Sequence, residues 1–297
     1  METRWLYTNS MDFPKLREAS NRTCVIPMGC VEKHSNYCPL GTDIIKGSHV
    51  AHLASQIETV CVFPDFVFGD VSCGPHAERP EGTIALDVRT QMLLLEQLCE
   101  EIEANGFNKI LVVNSHGGNK PWLQTFARNW GIKPHKAVFA YTCTPSTVPH
   151  FMAEILLEKG SGSIPELTAE DEALILKYHE EGMITGHACM NEAAIAMAAT
   201  PENVHLDRLG TEDGSKRDIP RLQKLLDSNV MLSMGGWVDF QPDWFDGDTP
   251  YGLNERIAKA GARIMSERIA ETYKAFKEDT YLLERAKETY HDKTYFD

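Results

Sequence analysis

Two carboxylates and a histidine lie near one another early in the sequence. Glu32 and His34 are two residues apart after a predicted strand, so both side chains leave the same face of an extended chain. Asp43 follows at the start of a predicted helix. Carboxylate and imidazole groups suit Zn²⁺, Mn²⁺ or Fe²⁺. The same residues are also compatible with Asp43 as a helix cap and Glu32 as a surface charge.

Two later segments could add ligands to such a site. His116 lies between a predicted strand and a predicted helix, beside Gly117 and Gly118, which permit positive φ and close approach of the backbone. His187 precedes Glu192 by five positions, about 140° along a helix, so we expect His187 in the entering loop and Glu192 in the first helical turn. The alternatives are an exposed turn histidine and a glutamate that only interacts with the helix dipole.

The surrounding elements alternate between short β-branched runs and helical stretches. Strands are predicted over 23–27, 59–63, 109–113 and 136–141. Helices are predicted over 43–58, over 87–104 and from the turn that follows the third strand to about residue 130. This alternation predicts an α/β fold with a mostly parallel central sheet and helices on both faces. Ligands of such sheets bind beyond the carboxyl ends of the strands, which directs attention to the segments after Pro27 and Val113.

The rest of the sequence is interpreted as part of one domain, 1–297. Residues 150–182 are acidic and helical, and could form a lid, a subunit contact or plain surface. The pattern of apolar residues over 254–290 predicts one long amphipathic helix or a pair of helices. The aromatic and acidic stretch 236–248, which contains Trp237 and Trp244, is expected to serve core or subunit packing rather than to cover a substrate.

Composition limits the class of protein. The 29 Lys and Arg against 43 Asp and Glu give a net charge of −14, which repels phosphate backbones, so we expect no nucleic-acid partner. No apolar run approaches the ~18 residues of a membrane span, so no membrane partner is expected. The N-terminus lacks a secretory pattern, which favours a cytoplasmic location and free cysteines.

Other catalytic motifs are weak in this sequence. Nucleotide-binding glycine motifs are absent, and Cys30 is interpreted as a buried thiol rather than a nucleophile.

Three motifs together resemble the creatininase (creatinine amidohydrolase) family. They are Gly29-x-x-Glu32-x-His34 followed by Thr42-Asp43, then Asn114-x-His116-Gly117-Gly118-Asn119, then His187-Ala188-x-x-x-Glu192. Pro80-x-Gly82-Thr83, with His76 shortly before it, resembles a further segment of that family. The resemblance implies a three-layer α/β/α sandwich and a homo-oligomer, commonly a hexamer.

The resemblance also implies a catalytic centre with two divalent metal ions (Zn, Mn or Fe). The ligands carried over by position are Glu32, His34, Asp43, His116 and Glu192, with Asp43 bridging the ions. His187 corresponds to an active-site histidine and is expected to pass a proton to the leaving group. Creatininase itself has a glutamate where this chain has Gly118, which argues against creatinine as the substrate and makes Glu192 the compensating ligand.

The activity implied is hydrolysis of a small cyclic amide, a formamide or a related carbonyl compound by a metal-activated hydroxide. Several neighbours of the ligands differ from the family's usual residues, which indicates retained metal chemistry with a different substrate pocket. These are Cys30, Lys33, Ser35, Tyr37, Cys38 and Cys189. The alternatives are hydrolysis of an oxidised cyclitol (keto-inositol) ring, and a non-catalytic relative that serves in assembly or ligand binding.

Overall fold

The computed structural model describes residues 1–71, 79–143, 148–182, 186–230, 237–246 and 250–290. The strands are β1 (Thr23–Met28), β2 (Cys61–Val62), β3 (Lys109–Asn114) and β4 (Val138–Cys143). The helices are α1 (Phe13–Ala19), α2 (Thr42–Ile57), α3 (Val88–Ala104), α4 (Lys120–Trp130), α5 (Val148–Lys159), α6 (Ala169–Glu180), α7 (Met190–Ala199), α8 (Pro220–Asp227), α9 (Trp237–Phe240), α10 (Glu255–Glu278) and α11 (Tyr281–Tyr290).

The four strands form one parallel sheet in the order β2-β1-β3-β4. The central pair, β1 and β3, is in register from Thr23 beside Lys109 to Met28 beside Asn114. Their carboxyl ends are therefore level, and the segments that follow them leave the sheet side by side. In open α/β sheets the ligand crevice lies where the strand order reverses, which here is this central pair.

Helices cover both faces of the sheet. Successive strand residues point to opposite faces, so each strand contributes side chains to two separate cores. Val25, Leu111 and Val113 face a core shared with α2, α5, α7 and α10. Ile26 and Val112 face the other core, which α1, α3 and α4 complete. This arrangement confirms the expected three-layer α/β/α sandwich.

The predicted elements agree with the observed ones, apart from shifts at their ends. The predicted strand 59–63 shortens to two residues, whereas the predicted strand 136–141 begins and ends two residues later. The tail forms a pair of helices, α10 and α11, and the acidic region forms α5 and α6 on either side of its Gly-Ser break. None of the described helices is long and apolar enough to cross a membrane. The cysteines in the described ranges are free thiols, and His76 lies outside those ranges.

Substitution of Leu95 tests how much α3 contributes to the core that it forms with α1 and α4. Its side chain is fully buried, whereas Leu93 on the same helix is 56 % exposed. Leu95→Ala should lower the free energy of unfolding by about 2–5 kcal/mol, because buried methyl groups are lost and a cavity remains. The matched control Leu93→Ala should change it by no more than about 0.5 kcal/mol. Urea unfolding followed by circular dichroism measures both, and equal losses would contradict this packing.

Candidate metal centre

The candidate centre lies at the carboxyl ends of β1 and β3, where all five predicted ligands converge. The segment after β1, the first turn of α2, the turn after β3 and the first turn of α7 supply Glu32, His34, Asp43, His116 and Glu192. Their side-chain atoms form overlapping groups in which every donor lies within 4.8 Å of the others. Cys30 belongs to one of these groups and His187 to another. Residues far apart in the sequence therefore share one small volume.

Two glycines allow α2 to approach the strand ends this closely. A Cβ on Gly29 would lie 2.5 Å from the backbone nitrogen of Ile44, and one on Gly47 would lie 2.4 Å from Ser115 Oγ. Ser115 Oγ itself lies 2.5 Å from the carbonyl oxygen of Asp43. These contacts hold the first turn of α2 against the end of the sheet and aim the Asp43 side chain at the centre.

Asp43 does not cap its helix. The N-cap position of α2 is Gly41, and Asp43 lies in the first turn with its carboxylate 1 % exposed. Asp43 Oδ2 lies 2.9 Å from His116 Nδ1, and Cys30 Sγ donates to the same oxygen at 3.1 Å. Glu32 is buried as well, with Oε1 3.1 Å from His116 Nδ1. The cap and surface-charge interpretations are therefore wrong.

Each of the three histidines in the centre has a backbone carbonyl oxygen at one ring nitrogen. The contacts are His34 Nδ1 to Glu32 at 3.2 Å, His116 Nε2 to Asp70 at 2.6 Å and His187 Nε2 to Lys33 at 2.6 Å. Because a carbonyl oxygen only accepts, the nitrogen facing it carries the hydrogen. The other nitrogen of the neutral ring then presents its lone pair to the carboxylates, as in histidines that bind metals.

The ring nitrogens of His34 and His116 that face the carboxylates attract a cation. His34 Nε2 is buried, lies 3.4 Å from Glu192 Oε2 and 3.7 Å from Asp43 Oδ2, and makes no hydrogen bond to a described residue. Burial lowers the pKa of His34, but the charges of Asp43 and Glu192 outweigh burial and raise it to about 10. Burial opposes the Asp43 and Glu32 charges in the same way at His116, and its pKa is also raised. The cluster thus attracts a proton or a metal ion.

Gly118 has a steric role in this centre. Gly117–Asn119 forms a short 3-10 turn, and neither glycine uses the positive φ that its lack of a side chain permits. A Cβ at residue 118 would lie 2.5 Å from both Asp70 O and His116 Nε2, whereas a Cβ at residue 117 would meet nothing within 4 Å. Gly118 therefore leaves room for the hydrogen bond that orients the His116 ring.

His187 and Glu192 lie where their spacing predicts, in the turn before α7 and in its first turn. Glu192 Oε2 accepts a hydrogen bond from the Ala188 backbone nitrogen at 2.8 Å. The His187 ring stacks on His34 with centroids 4.1 Å apart, and its Nδ1 lies 3.8 Å from Glu32 Oε1. Burial, and then the neighbouring His34, lower the pKa of His187. The ring is therefore neutral near pH 7.

Sequence reasoning missed Lys46, which points into the centre. The residue is only 5 % exposed, and Nζ lies 2.7 Å from Asp43 Oδ1 and also contacts Glu192 Oε1. Burial lowers the pKa of Lys46, but the charges of Asp43 and then Glu192 outweigh burial and raise it, so the side chain is an ammonium. The available signal was its position three residues after Asp43, which places both on one helical face.

The aromatic stretch borders His187. Asp246 accepts from the His187 backbone nitrogen at 2.6 Å and from Trp237 Nε1 at 3.1 Å. The ring centroid of Trp237 lies 4.8 Å from that of His187 and the residue is 39 % exposed, whereas Trp244 is buried. Core packing therefore describes Trp244, while Trp237 flanks the candidate site; residues 236, 247 and 248 lie outside the described ranges.

Similarity to known proteins extends over nearly the whole chain. A deformylase of Methanobrevibacter smithii, acting on 2-amino-5-formylamino-6-ribosylaminopyrimidin-4(3H)-one 5'-monophosphate, is 26 % identical over 165 residues, which cover 54 % of this chain and 68 % of the relative. A structure described as a creatinine amidohydrolase from Bacteroides fragilis superposes with a TM-score of 0.66 at 19 % identity, covering 94 % of this chain and 98 % of that one.

Two further solved structures carry metals in their names. The structure called creatininase Mn has a TM-score of 0.63 at 16 % identity, and a mutant creatininase of Zn-Zn type has 0.64 at 15 % identity; each covers 92 % of this chain and 99 % of its own. These likenesses support the fold. The creatininase family model, described as creatinine amidohydrolase, matches residues 8–275. The chain therefore belongs to the creatininase family of amidohydrolases.

Proposed function

We propose that this chain hydrolyses the C–N bond of a formamide, a small cyclic amide or a related carbonyl compound. The observation that carries the proposal is the shared orientation of the histidines: each donates a hydrogen bond from one ring N–H to a backbone carbonyl oxygen and turns its other ring nitrogen towards buried carboxylates. That arrangement positions ligands for an ion. The M. smithii deformylase, whose substrate carries a formylamino group, favours the formamide end of this range.

The donor set is suited to hard or borderline divalent ions. We propose that the metal ligands are Glu32, His34, Asp43, His116 and Glu192, all of which offer oxygen or imidazole nitrogen. Burial, and then the charges of Asp43 and Glu32, raise the pKa of the Cys30 thiol, which donates a hydrogen bond to Asp43 Oδ2. Oxygen and imidazole donors suit Zn²⁺, Mn²⁺ or Fe²⁺.

His187 is the proposed proton carrier. A divalent ion held by the proposed ligands would lower the pKa of a bound water and polarise the substrate carbonyl. The carbonyl oxygen of Lys33 holds the hydrogen on His187 Nε2, which leaves the lone pair on Nδ1 free to accept a proton. Nδ1 takes this proton from the attacking water and returns it to the leaving nitrogen. The Trp237 ring flanks His187, with the two ring centroids 4.8 Å apart.

The direct test combines a substrate screen with metal removal. Protein supplied with Mn²⁺ or Zn²⁺ should release formate from formamides or open lactams, whereas turnover of keto-cyclitols alone would favour the cyclitol alternative. Chelation should abolish turnover, and adding the ion back should restore it without refolding. Circular dichroism should change little, although the melting temperature should fall because a ligand of the native state is lost. Global unfolding on chelation would contradict a catalytic role for the ion.

His187→Ala should separate proton transfer from metal binding. We expect bound metal to stay unchanged and kcat to fall by about 10²–10⁴-fold, the usual contribution of a positioned acid–base group. His150→Ala is the control, because His150 pairs with Glu154 on α5 outside the centre. Metal analysis and steady-state kinetics measure both effects. Loss of metal from the His187 variant would make His187 a ligand instead.

Gly118→Ala should weaken metal binding through His116. The added methyl group displaces either the His116 ring or the Asp70 carbonyl, and loss of such an orienting contact typically costs about 10–100-fold in metal affinity. Gly117→Ala is the matched control, because its Cβ would meet nothing within 4 Å. Titration calorimetry of metal-free protein measures both affinities, and equal affinities would contradict the steric role of Gly118.

A further inference from the structure

We infer that Asn119 is a positioning residue of the proposed metal centre and that it acts by fixing His116. The inference rests on the proposed function, because His116 is one of the proposed ligands. It follows from a closed set of hydrogen bonds, in which Asn119 holds both the backbone of His116 and the partner of its ring.

The side chain of Asn119 joins three separate segments of the chain. Asn119 is the N-cap residue of α4, yet its side chain makes no capping bond and is fully buried. Its oxygen accepts from the Asp70 backbone nitrogen at 2.7 Å and from Trp122 Nε1 at 3.1 Å. Its nitrogen donates to Asn114 Oδ1, at the end of β3, at 2.9 Å.

One of these bonds leads to the ring of His116. Asn119 holds Asp70 by its backbone nitrogen, and the carbonyl oxygen of Asp70 accepts from His116 Nε2 at 2.6 Å. Gly69 permits this approach, because a Cβ there would lie 2.7 Å from both the oxygen and the nitrogen of the Asn119 amide. The backbone nitrogen of Gly69 donates to the Gly29 carbonyl at 3.0 Å. The position of the carbonyl that orients His116 therefore depends on Asn119.

Another of these bonds leads to the backbone of His116. Asn114 Oδ1, which accepts from Asn119, also accepts from the His116 backbone nitrogen at 3.3 Å. Asn114 Nδ2 donates to the His116 carbonyl oxygen at 2.7 Å. The two routes from Asn119 therefore meet at one residue, and they fix His116 at its backbone and at its ring.

A carboxamide suits these partners, and a carboxylate does not. The Asp70 backbone nitrogen and Trp122 Nε1 only donate, so an oxygen must face them. Asn114 directs its nitrogen at the His116 carbonyl, so its oxygen faces Asn119 and accepts a hydrogen bond there. Asn119→Asp would bring two oxygens together, and turning the Asn114 amide round would only move that conflict to the His116 carbonyl. Buried polar atoms without a partner are costly, so this substitution should disturb the turn that carries His116.

The test titrates metal-free protein with Zn²⁺ in a calorimeter. Asn119→Asp should bind about 10–100-fold more weakly than the native protein, the usual cost of losing the contacts that orient a ligating histidine. Trp122→Phe removes one bond to the Asn119 oxygen and keeps both routes to His116, so its affinity should not change. Asn129→Asp makes the same chemical change at an exposed position of α4 and should also bind as the native protein does.

A double-mutant cycle measures whether the effect passes through His116. His116→Ala alone should lower the Zn²⁺ affinity, because a ligand is lost. Adding Asn119→Asp should lower it no further, because the ring that Asn119 orients is absent. Urea unfolding of the same variants measures stability separately. If Asn119 only stabilised the fold, its substitution would lower the free energy of unfolding and leave the affinity unchanged.

Native affinity in Asn119→Asp, an equal loss in Trp122→Phe, or an undiminished further loss in the His116→Ala background would overturn the inference. No Zn²⁺ binding by the native protein would instead contradict the proposed metal centre, so the two failures are distinguishable. If Asn119→Asp does not fold, Asn119→Ala takes its place, since it removes the same bonds without bringing two oxygens together. The same loss of affinity is then expected, and native affinity would again overturn the inference.

Discussion

The candidate centre depends on a cluster of buried electron-rich groups that repel one another and attract a cation. Buried carboxylates and imidazole lone pairs face one another at the carboxyl ends of β1 and β3. Desolvation makes such a cluster unfavourable without positive charge, and it makes attraction to a cation stronger than in water. The neighbouring backbone carbonyls, glycines and lysine all act by holding this cluster in one geometry.

The parallel sheet supplies the rigid support. Full pairing of β1 with β3 places Met28 beside Asn114, so the segments with Glu32 and His116 begin at the same level. The α2 and α7 helices then bring their first turns to the same edge, where Asp43 and Glu192 project inwards. Each histidine donates a hydrogen bond to a backbone carbonyl oxygen, so the fold of the backbone fixes the orientation of its ring.

This chain places a buried lysine beside the proposed ligands, in a fold that it shares with its family. The three-layer sandwich is common to creatininases of low sequence identity, as the superpositions indicate. Lys46 adds a fixed ammonium next to two of the carboxylates that we propose as ligands.

The sequence by itself determined the layered α/β fold and the identity of the converging residues. Strand and helix periodicity is local, and the order of the motifs restricts which segments meet at the sheet edge. Only the tertiary structure decided that Asp43 faces the centre instead of capping α2, that Gly118 provides space rather than a positive φ, and that Lys46 is buried between Asp43 and Glu192. These outcomes depend on the direction and packing of side chains across elements distant in sequence, which local patterns do not encode.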